Sequence, residues 1–116
     1  MSIKLDVLES RYRQHGVTYE AAALLGDAKA MNKIFAKWIA IGPKLRGAGE
    51  DGQSVLRRLM GDPSDAVATW AATDSLPFAE KEALKVLDAI AKKGGPIPFD
   101  AMMTAEQWRA GKLNIG

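Results

Sequence analysis

LRRLMGDPSDAVATWAATDSL, residues 56–76, carries the pattern that decides the fold. Leu56 and Leu59 close one apolar helical pattern, and Asp62-Pro63 stops it and starts another. Asp62 is expected to accept hydrogen bonds from the exposed amides of the new helix as its N-cap, with Pro63 at the first helical position, where its fixed φ is already helical. Asp65 adds negative charge where the helix dipole favours it. Val67, Trp70 and Ala71 then share one side, and the Ala71-Ala72 pair leaves room for a neighbouring helix to come close. The stretch therefore reads as two helices folded back on each other.

The same period extends in both directions. Leu5, Leu8, Tyr12, Gly16, Tyr19 and Ala23 recur at steps of three and four, which predicts an amphipathic helix over 3–25. Gly16 stands on that face as either a break or a point of close helix contact. Asp27 is a plausible N-cap for a second helix with the stripe Met31, Ile34, Phe35, Trp38, Ile41 and Leu45. Gly42-Pro43 should bend this helix near Ile41, and it is expected to run on to about Arg46. GAGEDG, residues 47–52, is a loop by composition, followed by a short helix over 53–60. Further helices are expected over 80–93 and from Thr104, where Thr104-Ala105-Glu106-Gln107 has the spacing of a capping box. Residues 94–100 form the longest expected connection. Six helices without an alternating strand make an all-α chain. Pairing them in order gives three helical hairpins, 3–46, 53–76 and 80–112, stacked as a short right-handed superhelix in one domain over 1–116.

Composition bounds the chemistry. The chain has 116 residues, a formal charge of +2 and no cysteine. Thiolate nucleophiles, disulfides and cysteine-ligated metals are thereby excluded, and the small charge is weak support for nucleic-acid binding. Neither a signal peptide nor an apolar run of membrane-spanning length is visible, so a cytoplasmic chain is expected. His15, the single histidine, cannot assemble a zinc site alone, and no cofactor or metal is expected. Serine elbows, phosphate loops and metalloprotease motifs are absent. The carboxylate pairs Glu50-Asp51 and Asp62/Asp65 sit where capping explains them. The chain is accordingly expected not to be an enzyme.

The central stretch resembles a HEAT repeat through Leu56, Leu59, Asp62, Pro63, Val67, Ala71, Ala72 and Leu76, with Ala68 standing where many such repeats carry a basic residue. Over most of its length the chain also resembles a small bacterial family of unknown function with an armadillo/HEAT-like α-superhelix, most strongly in residues 62–79 and 98–113. The resemblance implies a non-catalytic protein-interaction module, with neutralisation of a bacterial toxin by an immunity protein as its most concrete form. It implies no catalytic residue. In such stacks the second helices line a concave side, so Lys33, Lys37, Asp65, Thr69, Arg109 and Lys112 are the candidate partner-binding residues. Nucleic-acid binding along a mildly basic concave face is the alternative, and a small-molecule pocket between hairpins near Trp70 is a third reading. Trp38, Trp70 and Trp108 each fall near the second helix of a hairpin, which marks either a repeated core position, the reading expected here, or a shared binding groove. Asp74 shares a face with Val67 and Ala71. It is expected to cap the next turn, to pair with Arg57 or Arg109, or to face a partner.

Overall fold

The computed structural model describes residues 3–115 and contains, among them, only helices and their connections. These are α1 (Ile3–Leu25), α2 (Ala28–Trp38), α3 (Ile41–Gly47), α4 (Gly49–Leu59), α5 (Asp65–Ser75), α6 (Glu80–Ala91) and α7 (Pro96–Arg109). The architecture is an all-α stack of helical hairpins: α1 packs on α2, α4 on α5, and α6 on α7. Helix α5 sits at the centre, against α1, α3, α4, α6 and α7, and α1 also reaches α7. No helix of the described residues is long and apolar enough to cross a membrane.

Three boundaries differ from the sequence reading, and in each case a glycine or proline serves a different purpose from punctuation. The second expected helix is two: α2 ends at Trp38, and α3 resumes at Ile41. Pro43 thus occupies the first turn of α3, where its missing N–H removes no helical bond. The expected loop over 47–52 collapses to a turn at Ala48, because Gly49 takes a positive φ of 75° and α4 begins there. Gly52 is inside α4, where a Cβ would collide with the Leu45 carbonyl of α3, so it permits a close approach. Helix α7 begins at Pro96 rather than Thr104. Both Pro96 and Pro98 fall in its first turn, where backbone N–H groups have no helical acceptor. Thr104 is therefore mid-helix, and its capping-box spacing caps nothing.

The cap of α5 is also displaced by two residues. Ser64, not Asp62, is the N-cap, its Oγ accepting from the Val67 N–H at 3.3 Å. Asp62 instead accepts from the Ser64 N–H at 2.9 Å and from Arg13 Nε at 2.6 Å. Glu20 of α1 completes the junction, accepting from the Ala66 N–H and the Ser64 hydroxyl, both at 3.2 Å. A carboxylate from another helix thus sits at the positive end of α5. Asp27 caps α2 as expected, accepting from the Ala30 N–H at 3.1 Å.

Small side chains explain how α5 can be enclosed on so many sides. Ala66, Val67, Ala68, Ala71 and Ala72 are all buried, together with Thr69, Thr73 and Ser75. The Thr73 and Ser75 hydroxyls donate to the carbonyls of Thr69 and Ala71, four residues back, at 2.8 and 2.7 Å, so their burial leaves no unmet donor. Gly16 does not break α1. A Cβ there would lie 2.5 Å from Val67 Cγ2 and 3.0 Å from Trp38 Cζ2, so its bare backbone is what lets α1 cross α5 at contact distance.

Candidate binding groove

The six candidate partner-binding residues do not converge on one face. Thr69 is 1% exposed and belongs to the interior. The expectation that second helices line an open concave side placed it on a surface, whereas α5 is enclosed. Asp65 is paired with Lys93 at 2.9 Å, and Arg109 grips Asp88 of α6 through two bonds of 2.9 and 2.6 Å. Lys33 and Lys37 are exposed on α2, and Lys112 is exposed beyond α7. Lys37 lies close enough to His15 that, after burial, its charge is the next cause holding the His15 pKa below the ordinary value.

The concavity lies instead where aromatic side chains from three helices meet. Trp38 stands against Tyr12 at 5.6 Å, Tyr19 at 5.5 Å and Trp70 at 5.6 Å between ring centroids, and Phe35 meets Trp70 at 5.0 Å. All four contacts are tilted or edge-to-face, the arrangements favoured by the ring quadrupoles. Trp38 is buried, as expected of a core residue. Trp70 and Trp108 are only half-buried, and the Trp108 indole donates to Glu80 at 3.1 Å. The Trp38 N–H is buried without a hydrogen-bond partner, and the ring faces around it offer weak acceptors at most.

Over these rings opens a pocket of about 250 Å³ between α2, α3, α5 and the C-terminal segment. A second hollow of about 320 Å³ adjoins it, sharing Phe35, Trp70 and Leu113 and reaching Asp100 and Met103 of α7. Together they form one trough with Trp70 at its middle. Ile39, at 55% exposed, rims one end, and Met103 of α7, also exposed, rims the other. The chain itself crosses this trough. Gly111, at φ 71°, ends α7 in a Schellman turn, with its N–H on the Trp108 carbonyl and the Lys112 N–H on the Gln107 carbonyl. Beyond it Leu113 and Ile115 are half-buried and Asn114 is exposed, an alternation that turns the apolar side chains inward.

One polar cluster interrupts the apolar wall. Asp74 of α5 accepts from Tyr12 Oη at 2.7 Å and from Arg46 Nη1 at 2.5 Å, joining α1, α3 and α5. Asp74 thus caps no turn and does pair with an arginine, but the arginine is Arg46 rather than Arg57 or Arg109. Arg57 faces Glu82 at 3.8 Å and lies over the Phe78 ring. Burial raises the Asp74 pKa, opposed by the Tyr12 hydrogen bond and the Arg46 charge. Burial, then the Asp74 charge and hydrogen bond, hold the Tyr12 phenol well above its ordinary range. Gly42 makes the cluster possible, since a Cβ there would lie 2.5 Å from both Asp74 oxygens. Sequence reasoning missed Arg46 and Tyr12 as partners of Asp74. The available signal was that a carboxylate on a buried face requires a counter-charge, but its source was 28 residues away.

No protein-family model matches the chain, and no curated protein matches it. A crystal structure of the protein RPA1889 from Rhodopseudomonas palustris CGA009 is similar in fold, with a TM-score of 0.87 at 23% identity, covering 99% of this chain and 96% of that one. The hairpin stack is thus shared almost end to end with a bacterial protein at low identity.

Proposed function

We propose that the chain is a non-catalytic binding module that engages another protein through the trough around Trp70. The observation that carries this reading is the exposed apolar rim, Ile39 at one end and Met103 at the other, flanking an aromatic floor. Exposed large apolar side chains gathered about a concavity are the surface feature that protein partners cover. Polar groups near the floor support binding rather than turnover. Asp74 is held by Tyr12 and Arg46, and among the described residues no nucleophile stands beside a general base in the trough. Occlusion of a toxin, as an immunity protein in the cytoplasm, is the most concrete form of this reading. It also takes the hairpins as a short HEAT-like superhelix, supported by the burial of Val67, Ala71, Ala72 and Leu76, the positions that carry the repeat pattern.

The test is affinity capture from the native host with three forms of the full chain: wild type, Ile39→Arg/Met103→Arg, and Arg109→Ala. A protein recovered reproducibly with wild type and Arg109→Ala, but lost with the double variant, is the expected result. Recovery of no protein, or of the same protein with the double variant, contradicts the proposal.

A further inference from the structure

The pocket beneath the C-terminal segment has a chemistry of its own, deeper in the trough whose rim a protein would touch. Its floor is built from the rings of Tyr12, Phe35, Trp38 and Trp70, and its remaining wall is divided between aliphatic side chains, among them Ile39, Leu113 and Ile115, and a polar edge carried by Arg46, Thr73 and Asp74. Ring pairs meeting edge to face cannot fill space as flat stacks do, and a hollow of about 250 Å³ is left over them. An apolar cavity of about 150 Å³ admits benzene, so this one is large enough for two fused rings.

Charge decides which ring system fits. Among the described residues, the ionised groups lining the pocket are Arg46 and Asp74, and they neutralise each other at 2.5 Å. Each carboxylate oxygen accepts one hydrogen bond, one from Arg46 and the other from Tyr12 at 2.7 Å. A cationic ligand would find the aromatic faces but also the Arg46 guanidinium, and the one carboxylate there already carries a cation of its own. An anionic ligand would have to compete with Asp74 for Arg46. Either would shed its hydration without a counter-ion of its own. A neutral ligand incurs neither cost. One of the five N–H donors of Arg46 goes to Asp74, and a guanidinium lining a pocket can donate another to a ligand acceptor.

The geometry points to a binding site for a small, uncharged, flat aromatic or heteroaromatic molecule of one or two rings, held between the Trp70 and Phe35 rings and the Leu113–Ile115 segment. The segment closes the pocket over its ligand, because its two half-buried side chains already line the opening. This site goes beyond the protein-docking proposal and does not depend on it.

Calorimetric titration of the full chain tests it with indole as the neutral probe, indole-3-acetate as the anion and tryptamine as the cation. Indole is expected to bind saturably at one site, at least tenfold more tightly than either charged analogue. Thr73→Met, which fills the pocket from α5, should weaken indole at least tenfold. Ile39→Glu, at an exposed rim position that folding does not need, should weaken it severalfold and so keeps the test valid if Thr73→Met unfolds. Absence of saturable indole binding overturns the inference. So does equal affinity for a charged analogue, or full affinity in both variants.

Discussion

The two ends of α5 are packed by opposite means. At the N-terminal end Val67 presses onto the bare backbone of Gly16, and Glu20 ties off the first turn, so α1 and α5 meet with no space between them. At the C-terminal end Asp74 bonds to Arg46 of α3, but Trp70 and Thr73 face α2 and the C-terminal segment across a hollow of about 250 Å³. Small residues give close contact because their backbones can approach. Large rings hold helices apart, and the wedge of space between them becomes a surface for something else. One helix thus serves as keystone at one end and as pocket wall at the other.

Substitutions at the two ends should separate these roles. Gly16→Val is expected to have the largest effect, about 3 kcal/mol or more of lost stability, because its side chain has only Val67 and Trp38 to displace. Urea unfolding measures this, and a loss below about 1 kcal/mol would show that the crossing is looser than described. Asp74→Ala comes next. It strands Arg46 in a site where that side chain is 15% exposed, and should cost about 2–3 kcal/mol, less than a fully buried pair because the pocket admits water. Gly47→Ala, at the end of α3 with nothing within 4 Å of the added methyl, should instead stabilise by roughly 0.5 kcal/mol. Equal effects at Gly16 and Gly47 would remove the distinction between a packed and an open glycine.

The smallest effect concerns pH. Burial, Lys37 and Arg11 hold the folded-state pKa of His15 below its unfolded value of 6.5, so between the two the folded chain binds fewer protons than the unfolded one. Stability from this group is therefore present above pH 6.5 and falls away as pH drops from there toward the folded pKa. His15→Gln should flatten that part of the curve, and thermal midpoints of both forms at pH 7 and pH 5 report it. An identical pH dependence in the two proteins would place His15 in an unperturbed setting.

Much of this architecture is legible in the amino acids because it follows from local rules. Apolar spacing set the helices, Asp27 announced a cap, and Ala71-Ala72 announced a close crossing. Local rules failed where one residue serves a distant one. Gly52 and Pro98 look like loop residues until the Leu45 carbonyl and the first turn of α7 are in place. Thr69 looks like a surface threonine until α5 is seen enclosed. The trough was legible only in part. Trp70 was recognisable as a possible pocket residue, but the lysines of α2 and Arg109 of α7 drew attention to faces that the tertiary arrangement separates. Leu113 and Ile115 gave no periodic signal, because their burial depends on Gly111 turning the chain back across Trp70.

Amide hydrogen exchange on the chain, free and in complex with its captured protein partner, addresses the trough most directly. New protection is predicted in residues 32–39 and 99–107 and in the 113–115 segment, with the exposed face of α6 unchanged. Protection centred on α6 and Arg109, with the segments around Trp70 exchanging as before, would contradict the assignment.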